Sequence, residues 1–292
     1  MSPTDRRLRL ARAIAARAGA EPERPSPDLG LLEICHRRPT RLTLTAYEPS
    51  LCLILQGAKE VKVGDRELEL RAGDSVIVSH HVPLLAGVTE ASPSAPFVAL
   101  AVEVDLDLIR GLYQEVEALD LTPGDLGALQ VGSAEEALVE AAGRLFDLGE
   151  RPVDAHVLGP SVRREIHYRL LVAGHGHSLR ALARPRSQAS QISRAVAELR
   201  RRFAEPLSVA DLARTAGMSA STFHDHFKRV TSTTPLQFQK SLRLIEARRL
   251  LQTGGSSVTE AAFEVGYQSP TQFSREYSRR FGHAPRYDVA SG

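Results

Sequence analysis

The stretch Ser208–Phe227 reads SVADLARTAGMSASTFHDHF, and a related stretch, Ser257–Tyr277, reads SVTEAAFEVGYQSPTQFSREY. In both copies, apolar residues stand at positions i, i+3, i+4 and i+7 after the first serine, which is the spacing of a helix buried on one side. A glycine follows each apolar quartet. The paired residues are Val209/Val258, Leu212/Ala261, Ala213/Ala262, Ala216/Val265 and Gly217/Gly266.

Both ends of this first helix can be predicted in each copy. Ser208 and Ser257 stand where an N-cap belongs, and Asp211 and Glu260, three residues later, predict capping boxes. The glycine after each quartet is expected to end the helix, because glycine adopts the left-handed conformation most easily.

A second helix is predicted after each glycine. Phe223 and Phe227 in the first copy match Phe273 and Tyr277 in the second, after one extra residue in the second turn. These aromatic residues predict the buried face of that helix. A helix, a tight turn and a second helix, built twice, form a tandem helix-turn-helix, an architecture that mainly serves to place two helices in DNA.

The sequence between the copies predicts a long helix from Pro235 to about Leu251, with Leu242, Ile245 and Leu250 facing inward. Its length of roughly 24 Å at 1.5 Å per residue suits two recognition helices in successive major-groove turns, about 34 Å apart on DNA. A further helix, Ile192–Phe203, is expected to precede the first copy.

The charge of the chain is uneven, although its net charge is only +2 over 292 residues. From Gln188 onward the sequence has 15 Lys and Arg against 9 Asp and Glu, whereas the remainder has 22 against 26. A polyanion is therefore expected to contact only the C-terminal third. The two cysteines, Cys35 and Cys52, favour a reducing cytosol over a disulfide framework. No apolar run approaches the roughly 18 residues of a membrane span, so a cytoplasmic protein without membrane contact is predicted.

Residues up to about 105 predict a small β-sandwich or barrel, since short extended stretches alternate with turns that contain Gly or Asp. Gly64-Asp65 predicts a tight hairpin turn. The extended stretches include Leu51–Leu55, Lys59–Val63, Glu67–Leu70, Val76–Val78 and Phe97–Val104.

Helical spacing follows this region, and breaks are predicted at Arg151-Pro152 and Gly159-Pro160. A stretch rich in Arg, Pro and Ser then predicts a linker at residues 181–190. The helical stretches are Leu106–Leu119, Ala134–Leu148 and Val162–Ala173.

The C-terminal part, from Ile192 to Asp288, resembles the AraC/XylS family of bacterial transcription regulators. The likeness is carried by FKRVTSTTP at Phe227–Pro235, RLIEARRLL at Arg243–Leu251 and AAFEVGYQSPTQFSREYSRRFG at Ala261–Gly282. This resemblance implies DNA binding through two helix-turn-helix units joined by one long helix.

The N-terminal half resembles the cupin-like sensor domain of one branch of these regulators, through YEPSLCLILQGAKEV at Tyr47–Val61, RAGDSVIVS at Arg71–Ser79 and EASPSAPF at Glu90–Phe97. The resemblance implies a multidomain chain. A cupin-like β-barrel or sandwich with flanking helices and a helical connector is expected at residues 1–180. An all-α double helix-turn-helix domain is expected at residues 191–292.

Base contacts are expected from the exposed face near the N-terminus of each recognition helix. The resemblance places the reading positions at Ser221, His224 and Asp225 in the first copy and at Thr271, Gln272 and Arg275 in the second. Gln suits adenine and Arg suits guanine through paired hydrogen bonds, which ranks Arg275 first. Phosphate contacts, which set affinity without reading sequence, are expected from Arg229, Lys240, Arg279 and Arg280.

The cupin resemblance raises the question of a metal, but the sequence predicts none. Pro49–Val61, where a metal-binding cupin has a His-x-His pair, contains no histidine, only Cys52, Gln56 and Glu60 as candidate ligands. The adjacent His80 and His81 point to opposite faces of a regular strand. His175-x-His177 alone is a weak metal signal.

Three residues are candidates for lining a ligand pocket, namely Cys52, His80 and His81. Cys52 on an inner strand fits a core residue equally well, and a redox- or electrophile-sensing thiol is a further alternative. No cofactor and no catalytic residue is predicted.

The sequence therefore predicts a DNA-binding transcription regulator whose N-terminal domain responds to a small molecule or a partner. Double-stranded DNA is the expected partner, and RNA polymerase, an unidentified effector and a second copy of the chain are further candidates. Two alternatives stay open: a constitutive regulator whose barrel only dimerises, and a cupin enzyme fused to a DNA-binding domain.

Overall fold

The computed structural model of the chain describes residues 3–19, 21–116, 126–254 and 256–289. They form an N-terminal β-domain covered by helices and a C-terminal helical unit. The strands are β1 (Glu23–Ser26), β2 (Leu31–His36), β3 (Thr43–Tyr47), β4 (Ser50–Gln56), β5 (Ala58–Val63), β6 (Arg66–Arg71), β7 (Asp74–Val78), β8 (Val82–Glu90), β9 (Phe97–Glu103) and β10 (Leu129–Ser133). The helices are α1 (Pro3–Arg17), α2 (Leu106–Val116), α3 (Glu136–Leu148), α4 (Pro152–Val172), α5 (His177–Ala183), α6 (Gln188–Arg201), α7 (Val209–Ala216), α8 (Ala220–Thr231), α9 (Pro235–Gln252), α10 (Val258–Glu264) and α11 (Pro270–Phe281).

Two antiparallel sheets make up the β-domain. One has the strand order β1-β2-β9-β4-β7-β10 and the other β3-β8-β5-β6. Side chains such as Ile54, Val61 and Val76 pack together between the sheets. The outer face of the larger sheet is buried under α1, α2, α3 and α4, through residues such as Leu53, Leu100 and Phe146. The fold class predicted from the sequence, a β-sandwich with flanking helices followed by a double helix-turn-helix, is confirmed.

Three strands lack the sequence features from which strands are usually predicted. β1 has the sequence ERPS, β10 has LQVGS, and β8 contains Pro83, a residue type that usually marks a turn or a sheet edge. Pro83 pairs with Ala46 of β3, whereas the pairing of β8 with β5 covers only Leu85–Glu90. Proline is tolerated at this position because no strand on the β5 side requires its missing N–H.

The break predicted at Gly159-Pro160 is absent, because α4 continues through Pro160 to Val172. A proline inside a helix leaves the carbonyl four residues earlier without its partner. That carbonyl belongs to His156, which is exposed, as Pro160 is, so water can satisfy it. The buried residues Ile166, Leu170 and Leu171 hold the second half of the helix on the domain core.

The segment interpreted as a linker, residues 181–190, is largely helical. α5 extends to Ala183, α6 begins at Gln188, and only residues 184–187 lie between them. The Ser187 side chain accepts a hydrogen bond from the Ser190 N–H and caps α6. The connection between the two parts of the chain is therefore short.

The C-terminal unit, defined here as α6–α11, contains two helix-turn-helix pairs, α7–α8 and α10–α11, joined by α9. Phe223 and Phe227 are fully buried in the first pair, and Phe273 and Tyr277 in the second, as predicted. α9 contributes Phe238 and Leu242 to the first core and Leu244, Ala247 and Leu251 to the second. Its 18 residues therefore fix the two pairs relative to each other along about 27 Å.

The capping boxes predicted for the two copies differ. The Ser257 N–H donates to Glu260 Oε2 at 2.8 Å, and the Glu260 N–H donates to Ser257 Oγ, which completes the box. In the first copy, Ser208 Oγ accepts from the Asp211 N–H, but it also donates to the Asp211 carboxylate at 2.7 Å. Asp is one methylene shorter than Glu, so its carboxylate reaches the serine hydroxyl instead of completing the reciprocal box.

Candidate DNA-binding surface, domain junction and cavity

The predicted reading residues of the first helix-turn-helix all lie on the exposed face of α8. Ser221, His224 and Asp225 are exposed, with Phe223 and Phe227 on the opposite, buried face. His224 Nδ1 lies 3.8 Å from the Asp225 carboxylate. This face is accessible while the C-terminal unit contacts the β-domain.

The equivalent residues of α11, Thr271, Gln272 and Arg275, are exposed as well. Gln272 Nε2 donates to Glu276 Oε1 at 3.1 Å. Within the described part of the chain, the Arg275 guanidinium has no hydrogen bond or ion pair. Arg275 is therefore available to a ligand without breaking an internal contact.

Glu276 collects donors from three directions. Besides Gln272, its carboxylate accepts from Lys240 Nζ at 3.1 Å and from Tyr267 Oη at 2.9 Å. Burial alone would raise the pKa of Glu276, but the three donated hydrogen bonds lower it below its usual value. Lys240, a phosphate candidate, is thus already paired with a carboxylate.

The other phosphate candidates, Arg229, Arg279 and Arg280, are exposed. The Arg229 guanidinium bonds to the Gln188 amide oxygen at the start of α6. Arg279 and Arg280 lie in the last turn of α11, where cationic side chains also interact favourably with the helix dipole.

Sequence reasoning missed Arg243, which joins three segments of the C-terminal unit. From α9, its Nε donates to the Phe203 carbonyl at 2.8 Å, and its two terminal nitrogens donate to the carbonyls of Ala204 and Gly266 at 3.1 and 3.0 Å. Burial lowers the pKa of the guanidinium. Arg243 thereby fixes the turn of the second helix-turn-helix against the loop after α6.

The pocket candidates His80 and His81 lie at the junction between the β-domain and the C-terminal unit, outside the set of residues that line the cavity. His80 Nε2 donates to the Ala189 carbonyl of α6 at 3.1 Å, and Ser79 Oγ lies 2.8 Å from its Nδ1. The His81 ring packs near Phe238, and its Nε2 lies 3.4 Å from a Glu48 oxygen. The chain leaves β7 at this point and passes directly against α6 and α9, which explains the placement.

Further contacts join the two parts. Glu48 pairs with Arg200 of α6 at 2.7 Å, and the Ala128 N–H donates to the Val230 carbonyl of α8 at 2.8 Å. Leu44 of β3, which is 3% exposed, belongs to the same apolar cluster as Phe273 and Tyr277. One strand of the β-domain thus contributes to the core of the second helix-turn-helix.

Acid is expected to destabilise this junction through the buried histidines. Burial lowers the pKa of His80 to about 4, and burial together with Arg200 lowers that of His81 to about 3. The unfolded chain therefore binds protons that the folded chain excludes, so stability decreases as the pH falls below about 6.5. We expect His80→Gln to remove roughly 1–2 kcal/mol from the stability lost between pH 7 and pH 5.

Urea unfolding of the wild-type chain and of His80→Gln at both pH values measures this difference. His224→Gln, at an exposed position on α8, is the matched control and should leave the loss unchanged. Equal losses in the wild type and in His80→Gln would contradict the prediction.

A cavity of about 600 Å³ lies between the two sheets. Its walls come from β2, β4 and β9 on one side and from β3, β5 and β8 on the other. Cys52, the third pocket candidate, lines it from β4 and is 6% exposed. Its mouth is bordered by exposed polar side chains, namely Glu23, Thr40, Arg41, Glu48 and Glu103.

Sequence reasoning also missed Lys59, which lines the cavity from β5 and is only 6% exposed. A signal existed, because Lys59, Val61 and Val63 alternate along the strand and therefore share its inward face. Lys59 Nζ donates to Tyr47 Oη at 2.9 Å. The cavity thus contains a buried cationic group.

The residues considered as metal ligands have other partners. Gln56 donates to the Pro96 carbonyl, and Glu60 pairs with Lys62 at 2.7 Å. His175 Nε2 lies 3.1 Å from Ser75 Oγ, and His177 Nδ1 lies 2.6 Å from the Arg180 guanidinium. Across the described ranges, no group of three or more His, Cys, Asp or Glu side chains is arranged to hold a metal ion.

None of the helices within the described residues is both long and apolar enough to cross a membrane.

Comparison with known families assigns both parts of the chain. Residues 27–178 match the N-terminus of AraC-type transcriptional regulators, and residues 212–287 match a helix-turn-helix domain. The HTH-type transcriptional activator RhaS of Escherichia fergusonii is 35% identical over 130 residues, which cover 44% of this chain and 46% of RhaS. RhaS of Salmonella typhimurium is 31% identical over 158 residues, or 54% of this chain and 56% of RhaS. The chain thus matches about half the length of these curated relatives.

The fold is shared with ToxT of Vibrio cholerae. ToxT bound to (E)-4-(8-methylnaphthalen-1-yl)but-3-enoic acid aligns with a TM-score of 0.59 and 13% identity, covering 89% of this chain and 98% of ToxT. Wild-type ToxT bound to an unsaturated fatty acid aligns with a TM-score of 0.57 and 12% identity, covering 89% of this chain and 93% of ToxT. At this identity the likeness concerns the fold alone.

Proposed function

The chain belongs to the family of AraC-type transcriptional regulators, and we propose that it binds specific sites on double-stranded DNA and regulates transcription there. The observation that carries this proposal is the pair of exposed faces on α8 and α11, held by the rigid helix α9. Helices on such a spacer can enter successive major-groove turns on one side of the duplex.

Selection from random duplex DNA by the purified chain tests this proposal. We expect enrichment of a site with two short conserved blocks whose centres are about 10 base pairs apart. Enrichment of no sequence over the starting library would contradict it.

We propose further that a small molecule in the cavity between the sheets controls DNA binding. β3 supports this proposal, because Thr43, Thr45 and Tyr47 line the cavity while Leu44 packs with Phe273 of the C-terminal unit. Glu48, which follows β3, lines the cavity and pairs with Arg200 of α6. A ligand that shifts β3 would therefore alter contacts with both halves of the C-terminal unit. Such a change would couple ligand binding in the cavity to DNA binding. ToxT, which shares the fold, binds small organic molecules.

Weakening the junction is expected to raise the affinity for DNA. The chain before Gln188 carries 22 Lys and Arg against 26 Asp and Glu, so an acidic body held beside the DNA-binding unit repels phosphates. We expect Leu44→Ala, which loosens the docking of β3, to tighten binding to the selected site about fivefold, the lower end of typical coupling energies. Fluorescence anisotropy titration at fixed salt measures this change.

Leu236→Ala is the control for this experiment, because it makes the same substitution at a leucine of α9 that is 58% exposed. Equal affinities for the wild type, Leu44→Ala and Leu236→Ala would argue that the β-domain does not control DNA binding.

Two further partners belong to the proposal. RhaS is a transcriptional activator, which supports contact with RNA polymerase at the promoter. α4 presents Val153, Val157 and Leu158, which are 76%, 63% and 50% exposed. An apolar surface of this kind favours association with a second copy of the chain. We propose a regulatory role for the β-domain rather than a catalytic one, since His80 and His81 are engaged at the domain junction.

A further inference from the structure

Lys59 lies inside the β-domain, at the wall of the cavity between the sheets. It pairs in register with Val88 of β8 and Leu70 of β6, so both neighbouring strands hold its backbone. Its side chain is 6% exposed and points toward the larger sheet, where Phe97 and Cys52 also line the cavity. The ammonium group therefore has little access to bulk water.

Within the ranges that the structure describes, Lys59 Nζ has no Asp or Glu oxygen within 4.0 Å, and its hydrogen-bond partner is Tyr47 Oη. The acidic side chains around the cavity, Glu23, Glu48 and Glu103, are exposed at its mouth, and Glu23 attracts the Lys59 ammonium from there without contacting it. Moreover, Glu48 already pairs with Arg200.

The aromatic neighbours of Lys59 compensate only part of the cost of burying a charge. Its Nζ lies 5.0 Å from the centroid of the Tyr47 ring and 6.0 Å from that of Phe97. Such contacts are weaker than a paired carboxylate, whereas an uncompensated buried ammonium carries a large desolvation penalty. An ammonium has three donors, and Tyr47 accepts only one of them. The remaining donors need an acceptor, and the cavity provides the space for one.

The rest of the cavity wall indicates the chemical nature of the molecule to which that acceptor group belongs. Ile34, Ala86, Val88 and Phe97 give it a largely apolar surface. A small inorganic anion would leave these side chains uncovered, so the surface favours an apolar body attached to the anionic group. His36 also lines the cavity, and burial, opposed by Glu23 and reinforced by Lys59, lowers its pKa. As a neutral imidazole it can donate one hydrogen bond without adding charge.

We propose that the cavity binds an organic carboxylate with an apolar body, and that Lys59 and Tyr47 hold its carboxylate group. The Lys59 ammonium donates to the carboxylate, and the Tyr47 hydroxyl, which accepts from Lys59, can donate its own proton to the same group. This inference rests on the proposed function of the cavity as an effector site and specifies the class of effector.

Acid–amide pairs test the proposal on the full-length chain. The probes are octanoate, decanoate, dodecanoate, phenylbutanoate and naphthylacetate, each compared with its primary amide by isothermal titration calorimetry. The amide keeps the apolar body but removes the charge. We expect at least one acid to bind about tenfold or more tightly than its amide, since a hydrogen bond to a charged group contributes that much. Binding of no acid, or equal binding of acids and amides, would overturn the proposal.

Substitutions of single residues identify the side chain that binds the carboxylate. Lys59→Met keeps the length and apolar part of the side chain, and it should reduce the affinity for the acid to that for the amide. Tyr47→Phe should reduce the affinity for the acid but not that for the amide, and by a smaller factor than Lys59→Met does. The matched control is Lys62→Met on the same strand, because Lys62 is partly exposed and pairs with Glu60 and Glu67 outside the cavity. If a folded Lys59→Met protein bound the acid as tightly as the wild type does, the assignment of Lys59 to the carboxylate would be refuted. If that variant does not fold, the comparison of each acid with its amide in the wild-type protein still tests the proposal.

The same titrations repeated with the selected DNA separate this inference from the proposed function. An acid that binds through Lys59 without altering DNA affinity would support the assigned ligand class and contradict the proposed control. A neutral ligand that alters DNA affinity would support the control and overturn the ligand class.

Discussion

Replacing Gly266 with alanine is expected to destabilise the C-terminal unit by about 2–5 kcal/mol, from left-handed backbone strain and steric overlap combined. Gly266 has a φ of +87°, and a Cβ at this position would lie 2.0 Å from the Ala204 carbonyl oxygen. That oxygen cannot move freely, because Arg243 bonds to the carbonyls of both Ala204 and Gly266. Relief of the overlap would break at least one of these hydrogen bonds.

Gly217 provides the matched control, since it occupies the equivalent turn in the first helix-turn-helix. Its φ is +69°, but a Cβ there would meet only the Gln191 amide, at 4.0 Å. Gly217→Ala therefore carries the backbone strain alone, about 1–2 kcal/mol. Urea unfolding followed by far-ultraviolet circular dichroism measures both variants. Equal destabilisation by the two substitutions would show that the contact with Ala204 does not matter.

The helix-turn-helix pairs are the part of the fold that the sequence predicts best. Their cores depend on local spacing, and Phe223, Phe227, Phe273 and Tyr277 are buried as the repeat predicts. The two glycines of the turns also have the positive φ that the repeat predicts. Arg243 could not be identified in this way, because its partners lie about 23 and 40 residues away and are carbonyls, which every residue has.

The cavity was harder to predict than the helices, for a physical reason. Its walls come from six strands, and the pairing of β3 with β8, more than 30 residues apart, decides which side chains meet. The sequence predicts His80 and His81 as pocket residues because histidine often binds ligands. They lie instead at the domain junction, because the chain leaves β7 beside α6. From its residue type alone, Lys59 is indistinguishable from a solvated strand residue. It faces inward with Val61 and Val63 because β5 pairs with β6 on one side and with β8 on the other.

We propose that the two helix-turn-helix pairs present different chemistry to DNA. α8 offers Ser221, His224 and Asp225, and a carboxylate there is repelled by phosphates unless it accepts from a cytosine amino group. α11 offers Thr271, Gln272 and Arg275, which suit adenine and guanine. Gln272, however, is bonded to Glu276 and must exchange that bond for a base. Arg275 has no such bond within the described residues, so we propose that it is the main reader.

Arg275→Ala is expected to weaken binding to the selected site by about 1–3 kcal/mol, or roughly 5- to 150-fold, the usual contribution of a bidentate arginine–guanine pair. Binding to unrelated DNA should change much less, so the ratio of specific to non-specific affinity falls. Anisotropy titrations with the selected site, with a variant of it at each guanine and with random duplex measure that ratio.

Arg279→Ala distinguishes base reading from phosphate contact on the same helix. If Arg279 contacts phosphate, its loss should weaken all duplexes about equally and reduce the dependence of log affinity on log salt by about one unit. If Arg275→Ala instead weakens all duplexes equally and also flattens the salt dependence, Arg275 contacts the backbone. The reading role would then pass to Gln272, whose amide must leave Glu276 to reach a base. Glu276→Gln would weaken that competition, because a neutral amide accepts hydrogen bonds less strongly than a carboxylate.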